Sequence, residues 1–114
     1  MTVSQKKMTQ VRQKLEASPA FESVAQLMTL GADINRLKIL YLIEDRELSV
    51  GDLAEILGVT ISSVSQHLTR LKAYRLVSPR RQAQAIFYRL TDHPFNAKLR
   101  EIFFRQFHER GVKP

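Results

Sequence analysis

Apolar residues recur at helical spacing along most of this chain and alternate with polar ones over only one short stretch. Residues 4–16 predict a first helix, with Met8, Val11 and Leu15 on one stripe and Lys6, Lys7, Arg12 and Lys14 mostly off it. Ser18 and Pro19 then offer a cap and a first-turn proline for a second helix. Phe21, Val24, Leu27 and Met28 are its inward positions, and Gly31 ends it. Asp33 caps a third helix running to about Asp45, with Ile34, Leu37, Leu40 and Tyr41 at helical spacing.

After a short link, Ser49 and Asp52 stand as a capping box at the start of a helix from Val50 to Leu57, which halts at Gly58. Thr60 caps the next helix. There Ile61, Val64, Leu68 and Leu71 share one side, at 100° per residue. Ser62, Ser63, Gln66, Thr69, Arg70 and Ala73 take the opposite arc, with Ser65 and His67 at its boundaries. Helix, tight turn with glycine, helix is the spacing of a helix-turn-helix over residues 50–75.

From Val77 to Leu90 the period changes to two. VSPRR and AIFYRL have strand character, with Gln82 and Ala83 at the hairpin tip. No glycine or asparagine is there, so a looser turn is expected. Pro79 confines the first strand to an edge or a strand start. Pro94 begins a last helix, 94–110, with Phe95, Leu99, Ile102, Phe103 and Phe107 as its stripe, ending at Gly111. The pattern predicts one domain, residues 1–114, mainly α with a small β-hairpin (α+β). Its architecture is a winged helix-turn-helix, with the wing at 77–90.

Composition narrows the classes. Hydrophobic content of 44% and charged content of 25% are those of an ordinary globular protein. No apolar run approaches membrane-spanning length, and MTVSQKKMTQ is no signal peptide, so a cytoplasmic location is expected and no membrane partner. Without cysteine there is no disulfide, thiolate metal ligand or thiol switch.

Charge adds more. Lys and Arg total 18 against 11 Asp and Glu, a formal net charge of +7. Between Glu55 and Asp92 there is no acid, while Arg70, Lys72, Arg75, Arg80, Arg81 and Arg89 are all cationic. Such a one-sided field suits a polyanion. Thr60, Ser62, Ser63, Gln66, Thr69 and Arg70 are the groups a helix needs in a major groove: short and polar near its N-terminus, acid-free, with a glutamine able to address adenine. Arg80, Arg81 and Gln84, near the hairpin tip, suit the adjacent minor groove or backbone. Duplex DNA is preferred over RNA because no aromatic stacking platform stands out; Tyr74, Phe87 and Tyr88 are expected in the core. Ser63 and His67 sit four residues apart and could touch as nucleophile and base. No acid nearby in sequence would orient the imidazole, and no enzyme is expected.

The run ELSVGDLAEILGVTISSVSQHLTRLKAYRLVSPRRQAQAIFYRL closely resembles the ArsR/SmtB family of bacterial winged-helix repressors, as does the earlier DINRLKILYLI. LSVGDLAE, the S-x-x-S-x-HL helix, LV and the FYRL strand ending carry the likeness, over roughly residues 20–110. The resemblance implies a homodimer bound to operator DNA near its own promoter. It also implies dimer contacts from the first and last helices: Met8, Val11, Leu15, Phe95, Leu99, Ile102, Phe103 and Phe107.

Many members of that family release DNA when a metal binds, and here the implied ligand positions are degenerate. ELSVGDL carries Ser49 and Gly51 in the segment that holds cysteine in those members. On the last helix the implied pattern is Asp-x-His near the start and His-x-x-His/Glu near the end. Asp92 matches, Pro94 and Arg105 do not, and His108 does. No metal or cofactor is therefore expected, and any effector is left open. The alternatives are a metal-responsive repressor using Asp92, His93 and His108 across an antiparallel dimer, or a winged helix that binds only protein.

Overall fold

Short polar residues decide where the helices begin. The computed structural model describes residues 3–18 and 21–109, with side chains up to Phe107. Helix α1, Gln5–Ala17, starts where the Ser4 hydroxyl accepts the Lys7 N–H. It ends where the Ser18 hydroxyl donates to the Lys14 carbonyl at 2.8 Å, so Ser18 closes α1; the Pro19 of the expected second cap lies outside the described residues. Helix α2 is Phe21–Gly31. Helix α3, Ile34–Leu42, is capped by Asp33, whose carboxylate accepts the Arg36 N–H, and it stops short of the expected Asp45. Strand β1, Leu48–Ser49, leads into α4, Val50–Leu57, through the expected capping box: Ser49 and Asp52 each accept the other's backbone N–H, at 3.1 and 3.0 Å.

Gly58 turns the chain at φ +68°, a left-handed value that costs glycine nothing. Helix α5, Ile61–Ala73, follows, its Thr60 hydroxyl accepting the Ser63 N–H. The end of α5 is less ordinary. Arg75 takes φ +61° where glycine is usual. The Leu76 N–H then reaches the Leu71 carbonyl and the Arg75 N–H reaches that of Lys72, which closes the helix. Leu71 and Leu76 are both buried there.

Strands β2, Val77–Gln82, and β3, Ala85–Leu90, form the wing, and β1 adds to its far side in the antiparallel order β1-β3-β2. Pro79 thus sits on an edge strand, as its missing N–H requires. Gln82 pairs with Ala85, which places the turn at Ala83 and Gln84, one residue beyond the expected tip. The turn is tight rather than loose because Ala83 itself adopts φ +55°. Two-residue strand β1 is too short to show any alternation, and periodicity read it as part of a link.

The core lies where α3, α4, α5 and the wing meet, and it holds Ile39, Leu40, Ile43, Leu53, Val64, Leu68, Leu71, Leu76 and Val77. Each aliphatic side chain buried there contributes about 1.5–3 kcal/mol relative to exposure. Several expected inward residues are not in it. Ile34 and Ile61 are exposed, lying in the first turn of their helices where little packs over them, and Tyr74, expected in the core, is exposed beyond the end of α5. In α2, Leu30 is buried and Leu27 partly so, while Phe21, Val24 and Met28 are exposed. Helix α1 buries none of its residues. Gly31 is the last residue of α2 without a left-handed turn; a β-carbon there would come within 3.3 Å of the Phe95 ring, so it is a packing glycine.

The last helix departs most from a simple stripe. It runs α-helically over α6, Pro94–Leu99, widens to a π turn over Arg100–Phe104, and resumes as α7, Arg105–Glu109; the expected stop at Gly111 lies outside the described residues. The Arg105 N–H donates to the Arg100 carbonyl, five residues back. This wider turn shifts the phase, so Phe104 rather than Phe103 enters the core and meets the Tyr41 ring edge-on at 5.3 Å. Leu99 is also a core residue of the protomer. Asn96, fully buried, donates to the Leu76 and Thr91 carbonyls and so ties α6 to the end of α5 and the base of the wing.

Candidate nucleic-acid interface

Val64, Leu68 and Leu71 seat α5 on the core and leave one long arc outside. Thr60, Ser62, Gln66, Thr69 and Arg70 are exposed along it, with Ser65 beside them. Ser63 is only half-exposed, one turn before the largely buried His67 on the same side of the helix. No acid lies in the first turn, so the unpaired N–H groups of the α5 N-terminus meet no competing carboxylate there. The Thr69 hydroxyl donates to the Ser65 carbonyl at 2.8 Å. Outward, Thr69 therefore offers lone pairs and a methyl group instead of a donor.

His67, at the edge of the arc, is mostly buried, and its Nε2 lies 4.0 Å from a carboxylate oxygen of Asp33. The partner that sequence neighbours could not supply comes from the cap of α3. The Arg36 N–H and then the nearby His67 hold the Asp33 carboxyl below the usual carboxylate range, against the effect of its partial burial. The approach places α5 beside the start of α3.

The wing carries Arg80, Arg81 and Gln84, all exposed, but in different states. Arg81 and Gln84 make no ion pair or side-chain hydrogen bond among the described residues. Arg80 is engaged three times: its Nε is 2.7 Å from a Glu47 carboxylate oxygen, its Nη1 donates to Gln82 at 3.0 Å, and the guanidinium sits 5.5 Å from the Phe87 ring centre. The acid-free stretch from Glu55 to Asp92 is thus not wholly uncancelled in space. Pairing of β1 with β3 sets Glu47 beside Arg80, a contact that a two-residue strand did not announce.

The positions implied for a metal are otherwise occupied or outside the description. Ser49 is the cap of α4, bonded to the Asp52 N–H. The His93 Nδ1 accepts the Phe95 N–H at 3.0 Å and caps α6. Asp92 and Arg105 are exposed, and the side chain of His108 is outside the described residues. Among the described residues no three or more His, Asp or Glu groups gather as a metal site would need.

Of the residues expected at a dimer contact, Met8, Val11, Leu15, Ile102, Phe103 and Phe107 are exposed apolar side chains, Phe95 is half-buried, and Leu99 is core.

Comparison with known proteins agrees with this architecture. The model of the bacterial regulatory proteins of the arsR family matches residues 33–78, from the cap of α3 into the wing. The HTH-type transcriptional regulator KmtR of Mycobacterium tuberculosis is 39% identical over 85 residues, a match spanning 75% of this chain and 65% of KmtR. The transcriptional activator HlyU of Vibrio cholerae is 38% identical over 81 residues, 71% of this chain and 74% of HlyU. The structure of reduced HlyU from that organism superposes with a TM-score of 0.66 and 32% identity over 91% of this chain and 99% of that one. A homodimeric winged helix-turn-helix DNA-binding domain of Mycobacterium bovis, Mb0332, shares the fold at a TM-score of 0.65 and 24% identity, over 96% of this chain and 93% of that one. With relatives this similar along most of its length, and with helix-turn-helix and wing in matching order, the chain belongs to the arsR family of bacterial regulatory proteins.

Proposed function

We propose that this protein is a cytoplasmic, homodimeric repressor that reads a palindromic double-stranded operator. The observation that carries the reading is the exposed arc of α5, short, polar and free of acids, with Gln66 near its centre. Helix α5 lies in the major groove, where Ser62 and Gln66 address bases, Arg70 reaches a guanine edge or the backbone, and Thr60, Thr69 and the helix N-terminus meet backbone and base edges. The wing, 77–90, runs along the flanking backbone through Arg81 and Gln84, with Arg80 reserved by Glu47. Residues 50–75 form the reading unit; the helices at 4–16 and 94–110 join two copies. No catalytic step is assigned to any residue. A gel shift on genomic fragments across a salt series tests this. Selective retardation of a few fragments, weakening as salt rises, is expected. Equal binding of all fragments would remove sequence specificity, and no binding would leave a protein-interaction module.

The same reading gives metal ions no part. Zinc needs about four ligands in fixed geometry, whereas Ser49 is a helix cap, Arg105 sets a cation on the last helix, and His93 spends one ring nitrogen on the Phe95 N–H. Stoichiometric zinc, cobalt or nickel at constant ionic strength is expected to leave DNA affinity unchanged in the same assay. A tenfold loss, about 1.4 kcal/mol, would restore a site built from Asp92, His93 and His108.

A further inference from the structure

Arg36 is only 8% exposed, yet its guanidinium forms no ion pair among the described residues. Burying a charge without a counter-charge is costly unless dipoles replace the lost water. Two of its nitrogens find such dipoles: Nε donates to the Leu30 carbonyl at 2.9 Å and Nη2 to that of Thr29 at 3.4 Å. These are carbonyls of the last turn of α2, the negative end of its dipole. Nη1 makes no hydrogen bond among the described residues.

Arg36 lines a cleft of about 290 Å³ between α2, α3 and α5, together with Arg70, Gln26, Thr29 and Tyr74. No acid lines it. The nearest carboxylate in sequence, Asp33, feels the Arg36 charge through space, but it makes no ion-pair contact with the guanidinium, accepts the Arg36 N–H and faces His67. Arg70, on the opposite wall, also has no ion pair, and neither the Gln26 amide nor the Tyr74 hydroxyl makes a hydrogen bond among the described residues. The Thr29 hydroxyl is turned away, donating to the Ala25 carbonyl. The cleft therefore combines two arginines that make no ion-pair contact among the described residues with spare neutral donors. Its volume is at the small end of ligand sites and is ample for a phosphate group.

We propose that this cleft is an oxyanion site in which Arg36 and Arg70 together hold one phosphate group. Guanidinium pairs suit the spread charge and several oxygens of phosphate better than a single point charge would. The phosphate comes either free from solution or from a DNA backbone, because Arg70 borders both the cleft and the exposed arc of α5. A free phosphate would draw Arg70 into the cleft and compete with DNA. Since inorganic phosphate alone is the first probe, the site stands or falls separately from the repressor reading.

The test follows the arginine Nε–Hε resonances of the full chain. Inorganic phosphate is titrated against chloride at fixed ionic strength, then a short non-operator duplex is titrated in phosphate-free buffer. Saturable, joint shifts of Arg36 and Arg70 are expected. A response to phosphate assigns a free-anion site, a response to duplex alone assigns a backbone contact, and both support the proposal. In Gln26→Glu, which puts a carboxylate into the cleft and leaves the Arg36 bonds to the Leu30 and Thr29 carbonyls intact, affinity should fall at least tenfold while the thermal midpoint stays near wild type. An Arg36 resonance unmoved in both titrations, or undiminished binding in folded Gln26→Glu, would overturn it.

Discussion

Gln66 and Asp33 show how much depends on what a single side chain faces. Gln66 is exposed near the centre of the α5 arc, with no hydrogen bond among the described residues, so its amide is available for a bidentate contact to adenine. Gln66→Ala should flatten the preference among operator variants by about 1–3 kcal/mol, read as relative affinities in a competition gel shift; a uniform loss across variants would make Gln66 a backbone contact. Asp33 was legible as a cap because a short acid before a helical stripe has few other uses. Its second role, facing His67, was not legible, since the two are brought together only by the packing of α5 on α3. With its folded pKa lowered, the Asp33 carboxylate stabilises the fold above the unfolded value of about 3.9 and loses that contribution as pH falls through the folded value. Asn retains the cap without the charge. The gap in thermal midpoint between wild type and Asp33→Asn should therefore be widest well above the unfolded carboxylate value of about 3.9 and should close as pH falls through the lowered folded value. A gap that widens in acid would reverse the sign.

The helices of the reading unit were legible almost to the residue because each end carries its own signal: the Ser49–Asp52 box, Gly58 and Thr60. Elements without such signals were not. Strand β1 is too short for a period, and the π turn at Arg100–Phe104 leaves no mark in a pattern read at 3.6 residues per turn, so the expected stripe omits Phe104, which the wider turn carries into the core. The wing lay between these cases. Its strands and edge proline were readable, but its tip was displaced because Ala83 accepts a left-handed conformation that composition argued against. The wing also gained Glu47 as a neighbour, which separates two arginines that sequence treated alike. Arg81→Ala should lower the slope of log affinity against log salt by about one. Arg80→Ala should lower it less, because Glu47 already neutralises that charge, and Glu47→Gln should raise affinity for all DNA. Filter binding from low to physiological salt reads all three; equal losses for the two arginines would mean that the Arg80–Glu47 pair opens on DNA.

The protomer measures 63 × 32 × 23 Å, with a radius of gyration of 18.7 Å against about 13 Å for a compact domain of some 100 residues. Helix α1 buries none of its residues and leaves Met8, Val11 and Leu15 exposed. Exposed apolar stripes on α1 and on the last helix are costly in water and call for a partner surface. Sequence periodicity found those stripes but could not tell core from interface, since both select apolar residues at helical spacing. Leu99 illustrates the difficulty: it reads like its neighbours but is buried within the protomer, so replacing it would unfold the chain and reveal nothing about association. Ile102 and Phe103, about half exposed, are the positions that separate the two properties. Ile102→Glu combined with Phe103→Glu should give a monomer by sedimentation with near-native helical circular dichroism, because Phe104 keeps its contact with Tyr41. A monomer offers only one α5, whereas a dimer presents two helices about 34 Å apart, one turn of DNA. Operator affinity should therefore fall at least tenfold, about 1.4 kcal/mol. If the double variant still sediments as a dimer, the contact lies on α1, and charged replacements at Val11 and Leu15 become the discriminating pair.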